Sequence, residues 1–301
     1  MNALNHILAS TDFSDHARPA VDRAAHLAQQ AGAMLSLIHV LPGGALADLR
    51  HWLGSGHAIE QQLRADARTQ LQQLAAELQS GLPVPVQTVD AIGAVPEEIQ
   101  RAADGADADL VVVGARGAGF MRRLVLGSTA ERLLRRTQRP LLVVRQPAGR
   151  PYRRVLVALD FSAWSPQAVV LAQRVAPQAR LVLFHAFQVP FEEKLRFAGV
   201  DVATINSYRQ QARAEATQRL HALVAASPLK PGDWEPCIVE GEASQRLLEQ
   251  EQDRARGCDL IVMGKHGQSA TEDLLLGSVS KHVLAEGQVD VLVSTVHEPR
   301  P

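Results

Sequence analysis

The chain has 301 residues, 46% of them apolar and 4% aromatic, with 31 basic against 32 acidic side chains. That length suggests two domains of about 150 residues, each large enough to bury its own core. The balanced charge argues against a broad electrostatic surface for nucleic acid or membrane, and no apolar stretch is long enough to span a bilayer.

Near the N-terminus the apolar run Ile7-Leu8-Ala9 is too short for a signal peptide and soon meets Asp12, so a cytoplasmic protein is expected. Ile7 to Ser10 reads as a strand. Ser14 is a candidate N-cap for a helix whose stripe is Ala17, Val21, Ala24, Ala28 and Ala31, ended by Gly32. Met34 to Val40 is a second strand, and 42–56 carries no regular pattern. Ala58 to Ser80 reads as a long helix, Val84 to Val89 as a strand, and Pro96 to Ala103 as a helix. Leu110 to Val113 is apolar without alternation, as a strand covered on both faces would be. Ser128 to Arg136 has a helical pattern, and Leu141 to Val144 is a fifth strand.

Gln146-Pro147-Ala148-Gly149-Arg150-Pro151 reads as a linker, and a second series starts near Arg153. Its first helix should begin by Pro166, a good first helical residue. No pattern is evident over 191–203. Strands are expected at Leu181–Phe184, Pro236–Val239, Leu260–Met263 and Val291–Ser294. Cys237 and Cys258 form no CxxC motif and read as buried thiols in a reducing compartment.

The two series are copies. Thr11-Asp12-Phe13-Ser14 matches Leu159-Asp160-Phe161-Ser162, His39-Val40 matches His185-Ala186, and Gly114 matches Gly264, at offsets of 148, 146 and 150. A whole domain has been duplicated. Strand alternating with helix, joined by right-handed crossovers, gives a parallel sheet covered on both faces.

Each copy carries one motif that reads as chemistry. Gly114-x2-Gly117-x9-Gly127-Ser128 lies between a strand and a helix, and Gly264-x2-Gly267-x9-Gly277-Ser278 repeats its spacing. Glycines permit close backbone approach, and the free N–H groups of a helix start suit a phosphate. Ligands of such sheets sit at the carboxyl ends of the strands, where Asp12 and Gly114 both fall. A carboxylate there can accept from a ribose hydroxyl or a base amino group. Each feature also has a plain structural reading. Gly114 and Gly264 can simply turn the chain, Ser128 and Ser278 can cap helices, and Asp12 and Asp160 can do the same. His39 and His185 read as packed, hydrogen-bonded side chains rather than metal ligands, since no partner stands at ligand spacing. His51 and His57 give no geometry. Gly114-Ala115-Arg116-Gly117-Ala118-Gly119 is not GxGxxG, and no P-loop occurs.

Taken together, the two glycine motifs, the paired Asp-Phe-Ser segments and the His39-Val40 strand end resemble those of a tandem universal stress protein. The resemblance covers most of both halves. It implies an α/β fold with two doubly wound, five-stranded parallel-sheet domains of strand order 3-2-1-4-5, similar to adenine-nucleotide alpha-hydrolases. The domains would span 1–146 and 153–301 and pair as an intramolecular pseudo-dimer. It also implies ATP as ligand, with Mg2+ as an optional companion. Carried over position by position, Thr11, Asp12 and Val40 surround the adenosine, and Val113, Gly114, Gly117, Gly127, Ser128 and Thr129 line the phosphate side. The second set is Leu159, Asp160, Ala186, Met263, Gly264, Gly267, Gly277, Ser278 and Val279, weakened by leucine for threonine and alanine for valine. On this reading Gly114→Val blocks the phosphate path without unfolding the domain. The first site is the tighter, because Arg116, Arg122 and Arg123 accompany its loop, whereas Glu272 and Asp273 stand with Lys265 and His266 in the second.

Three functions remain open on the residues alone. One is a nucleotide-binding stress protein that acts by a conformational or partner change. The second is a slow ATPase or phosphoryl-transfer enzyme, for which no catalytic or metal-ligating constellation stands out beside the first loop. The third is a scaffold for a non-nucleotide ligand. The expected partners are an adenine nucleotide and an unspecified protein, with no nucleic acid and no membrane insertion. The fifth strands place bare apolar edges at the sheet borders, and each copy can cover the other's. Antiparallel pairing is favoured because its path of about 14 Å lies within the roughly 30 Å reach of Arg145 to Arg153.

Overall fold

The computed structural model describes residues 3–53, 57–117, 126–253, 257–265 and 276–295. They form two compact units, one of Met1–Pro151 with Gln288–Pro301, the other of Tyr152–Gly287. The first half supplies β1 (His6–Ser10), α1 (Arg18–Ala31), β2 (Met34–Pro42), α2 (Gly43–Leu53), α3 (His57–Gly81), β3 (Val86–Gly93), α4 (Val95–Gly105), β4 (Leu110–Gly114), α5 (Ser128–Arg136) and β5 (Leu141–Val144). The second half supplies β6 (Arg154–Ala158), α6 (Ser165–Val175), β7 (Arg180–Phe187), α7 (Glu192–Phe197), α8 (Val202–Ala225), β8 (Trp234–Glu240), α9 (Ala243–Gln252), β9 (Leu260–Gly264), α10 (Ser278–Glu286) and β10 (Asp290–Ser294).

In unit 1 the strands run β3-β2-β1-β4-β5-β10, with the first five parallel in the expected order. The sixth, β10, comes from the C-terminal segment and pairs antiparallel with β5, Leu292 opposite Leu142. The antiparallel edge pairing expected from the linker length is therefore present. Unit 2 carries β9-β6-β7-β8, all parallel, which is the same winding of its own first four strands. The central strands are apolar because helices cover both faces. Ile7, Leu8, Ala9, Leu110, Val112, Leu141, Leu142 and Val143 are fully buried, as are Val155, Val157, Leu260, Ile261 and Val262.

Local signals account for most element ends. Gly32 takes φ 67° and its N–H reaches Ala28 O and Gln29 O, closing α1. Pro166 sits in the first turn of α6. Asp201 caps α8, its Oδ1 accepting the Thr204 N–H at 2.9 Å. Three features differ from the sequence expectation. The 42–56 stretch contains α2, hidden because it starts on Gly43-Gly44, poor helix formers; it buries Leu46. The 191–203 stretch contains the short α7, ended before Gly199 at φ 81°. Ser14 is not the N-cap of α1, which is Ala17; its Oγ instead accepts the Ala17 N–H in the preceding turn, at 3.2 Å.

The cysteines also divide. Cys258 is buried, and desolvation, with Glu251 and Asp259 nearby, pushes its thiol up to about 12, which leaves it unreactive. Cys237 is only half-buried, with Sγ 3.6 Å from Gln250 Oε1. Among the described residues no helix is long and apolar enough to cross a membrane.

Candidate functional site

The site in unit 1 is built on the carboxyl ends of β1 and β4, which are neighbours in the sheet. Thr11 follows β1, is buried, and its N–H donates to Ile38 O at 2.9 Å, extending the pairing by one residue. The chain then turns sharply. Asp12 Oδ1 accepts from the Ser14 N–H at 3.0 Å and the Ser14 hydroxyl at 2.6 Å, and Thr11 Oγ1 accepts the Phe13 N–H at 3.0 Å. Phe13 takes φ 62°, a left-handed conformation that costs a bulky residue on the order of 1–3 kcal/mol. Its ring stacks on His39 with centroids 4.3 Å apart, and His39 Nδ1–H donates to Thr11 O at 2.9 Å. A carbonyl only accepts, so the proton sits on Nδ1.

Unit 2 repeats this turn. Phe161 takes φ 58° and packs on His185 at 4.3 Å, and His185 Nδ1–H donates to Leu159 O at 2.8 Å. Asp160 Oδ1 accepts from the Ser162 N–H at 2.9 Å and the Ser165 hydroxyl at 3.0 Å. Both histidines are thus packed and hydrogen-bonded, as the sequence suggested. Burial lowers the His185 pKa below its ordinary value, against opposing contributions from Leu159 O and Asp160, while Arg219 adds to the lowering. The unfolded chain therefore binds this proton first. Stability from His185 is complete above the ordinary imidazole value and is lost as pH falls below it. The parent's stability to urea should fall as pH drops below the ordinary imidazole value, and His185→Gln should flatten that slope. An unchanged slope in the variant would remove this role from His185.

The glycine loop leaves β4 at Gly114. Ala115 N–H donates to Val144 O at 2.8 Å, and Gly127 N–H donates back to Ala115 O at 2.9 Å, so the loop returns to its own root. A Cβ on Gly127 would stand 3.2 Å from Ala115 O, which explains the glycine there. Gly127 is the N-cap of α5 and makes no side-chain cap bond; Ser128 is already the first helical residue, so it is not the cap. Ser128 is exposed and Thr129 half-buried.

Gly117 closes the arrangement. A Cβ there would stand 2.6 Å from Asp12 Oδ2, so the loop backbone lies directly against the strand-end carboxylate. The two halves of the expected site are therefore in contact. Gly114 behaves otherwise. Its Cβ would meet Arg116 O at 2.9 Å and His16 O at 3.2 Å, both backbone atoms. A valine at 114 therefore strikes the turn before α1 and the loop itself, and the expectation that it leaves the fold intact is corrected.

Val40 and Val113 are buried core side chains beside this cleft. A separate cavity of ≈ 200 Å³ lies beyond the turn, lined by Thr11, Phe13, Ser14, Arg18, Gln73 and Glu77 among others.

In unit 2 the same frame holds with changed detail. Gly277 N–H donates to Lys265 O at 3.1 Å, and Gly277 is the N-cap of α10 without a side-chain cap bond. Lys265, buried, stands where unit 1 has Ala115, and Ser280, where unit 1 has Ala130, donates its hydroxyl to Gly264 O at 2.9 Å. Leu159 and Met263 are buried, Asp160, Ala186, Gly264 and Val279 half-buried, and Ser278 exposed. Gly267, Arg122, Arg123, His266, Glu272 and Asp273 lie outside the described residues. The left-handed phenylalanines and the Gly117–Asp12 contact were not legible beforehand. The repeated Asp-Phe-Ser segment was the available signal, but nothing in a phenylalanine announces a positive φ.

A family model described as the universal stress protein family matches residues 3–145 and again 151–295. The chain belongs to the universal stress protein family. It is a tandem member, with both copies matched. A universal stress protein of Mycobacterium bovis is 30% identical over 197 residues, and the match spans 62% of this chain and 62% of that relative's length. One of Mycobacterium tuberculosis is 25% identical over 96% of this chain and 95% of its own. Among solved structures, a universal stress protein from Archaeoglobus fulgidus superposes with a TM-score of 0.70 at 19% identity, covering 97% of this chain and 98% of that one. That likeness concerns the fold.

Proposed function

We propose that this universal stress protein binds an adenine nucleotide, ATP, at the glycine loop of unit 1 and more weakly at that of unit 2, and serves the stress response by a change of conformation or partner. One observation supports the reading above the others: the Asp12 carboxylate rests against Gly117 of the loop. An acceptor for ribose or base thereby adjoins a backbone cradle and an uncapped helix start, which suits phosphate. Thr11, Asp12 and Val40 serve the adenosine; Gly114, Gly117, Gly127, Ser128 and Thr129 serve the phosphates, with Val113 packed beneath. The matching set in unit 2 is Leu159, Asp160, Ala186, Met263, Gly264, Gly267, Gly277, Ser278 and Val279. Its Leu159 lacks the hydroxyl of Thr11, which favours unequal sites.

Mg2+ would arrive on the nucleotide's phosphates, because among the described residues no group of three carboxylate, histidine or cysteine side chains could hold a metal ion. The Ser14 hydroxyl donates to Asp12 Oδ1 at 2.6 Å beside the loop, and the Ser14 N–H donates to the same oxygen, so this pair serves the turn and a binding role is favoured over turnover. Calorimetric titration with ATP tests the binding. The parent should show one tighter and one weaker site, and Asp12→Ala should lose the tighter one while keeping its thermal midpoint. Equal sites, or an unaffected Asp12→Ala, would refute the assignment. Steady phosphate release by the parent, abolished in Asp12→Ala, would instead make this an enzyme.

A further inference from the structure

The edge of unit 1 carries a buried ion pair whose partners come from opposite ends of the sequence. Arg23, on α1, and Asp290, the first residue of β10, approach at 3.4 Å with side-chain exposures of 7% and 0%. Asp290 Oδ1 also accepts the N–H groups of Arg145 at 2.7 Å and Gln146 at 3.1 Å, just past β5. Arg23 Nη1 donates to Arg150 O at 2.7 Å. At the far end of the strand, Thr295 Oγ1 donates to Gln138 O at 2.7 Å. Both ends of β10 are thus pinned by its own polar side chains.

Duplication supplies a control. β5 and β10 are equivalent strands, Leu142 and Leu292 facing one another at the offset of 150 that also relates Gly114 to Gly264. At that offset Asp290 corresponds to Pro140 and Thr295 to Arg145. Arg23 corresponds to Leu171, at the offset of 148 that relates Asp12 to Asp160. The apolar strand faces are alike, and the buried polar groups are not.

We infer that Arg23 and Asp290 make the β5 edge of unit 1 selective for the chain's own β10 against the β5 strand of a second copy. A second β5 in that place would present the same apolar residues but set Pro140 where Asp290 stands. Proline offers no carboxylate, so the Arg23 guanidinium would be buried without its counter-ion, and the Arg145 and Gln146 amides would lose their acceptor. Removing one partner of a buried charge pair is strongly unfavourable, and a mismatch that strands a charge discriminates more sharply than any apolar contact. The pairing matters while β10 is still absent or unpaired, when the β5 edges of two molecules can meet.

The test is refolding of the full chain from denaturant at low and high protein concentration, with the dimer fraction read by light scattering. Arg23→Met with Asp290→Asn removes the charge that needs a partner yet keeps an acceptor for the two amides. Pro140→Asp leaves the native pair intact and gives β5 the carboxylate it lacks. Both variants should form dimers at high concentration several-fold more than the parent, by opposite routes. Simple destabilisation would raise association in the first variant and not in Pro140→Asp. If Pro140→Asp refolds with the parent's dimer fraction, the inference is overturned, whatever the other variant does.

Discussion

Asp290→Ala is expected to destabilise unit 1 by about 3–5 kcal/mol, the usual loss when one partner of a buried ion pair is removed. The reason is the company Asp290 keeps. Its side chain is fully buried, Arg23 lies at 3.4 Å, and two backbone N–H groups depend on the same oxygen. Truncation leaves a guanidinium that is 7% exposed facing a void, and two amides without an acceptor. The contrast is the exposed pair Glu131–Arg135 on α5, with side-chain exposures of 46% and 51%. Glu131→Gln should cost at most about 0.5 kcal/mol, since water already solvates both charges. Urea midpoints report the difference, and hydrogen exchange should show the Arg145 and Gln146 amides opening faster only in Asp290→Ala. Equal losses in the two variants would mean that the buried pair does not anchor β10.

Gly117→Val is expected to weaken ATP binding roughly 10- to 100-fold, equivalent to losing one charge-assisted hydrogen bond of about 1.5–3 kcal/mol, with little change in stability. Its Cβ would stand 2.6 Å from Asp12 Oδ2, and the far end of a side chain on an exposed turn can swing away. The carboxylate moves out, the fold stays, and the acceptor for the nucleoside is lost. Gly114→Val should behave differently. Its Cβ would meet the backbone oxygens of Arg116 and His16, which cannot swing aside. Overpacking of this kind costs about 1–3 kcal/mol, so this variant should lose stability and binding together. Calorimetry beside thermal unfolding separates the two. If Gly117→Val binds as the parent does, Asp12 is not the group that receives the nucleoside. If Gly114→Val is as stable as the parent, the turn before α1 is softer than its backbone contacts imply.

Much of this protein was legible in its sequence, because the relevant physics is local or periodic. Runs such as Leu110–Val113 announced strands covered on both faces, and the offset near 148 announced a duplicated domain. The length of the linker after Arg145 favoured antiparallel pairing of the fifth strands, and β10 beside β5 has that orientation. Gly32 closed its helix as expected, because positive φ after a helix is a property of glycine itself.

Other features had no local cause. α2 is held in place by Leu46 and the sheet rather than by its own glycine-led sequence. Phe13 and Phe161 keep a left-handed backbone where a histidine on the neighbouring strand packs against each ring, stacked on Phe13 and tilted on Phe161. Whether Gly114 or Gly117 faces the Asp12 carboxylate depends on which backbone atoms the fold brings near each, and spacing alone treats the two glycines alike. The pairing of Arg23 with Asp290 is the clearest case. Read along the chain, they are an arginine on an otherwise small-residue helix and an aspartate before an apolar strand. Only the placement of the last strand against the fifth takes both out of water together, and in that setting the two charges depend on each other.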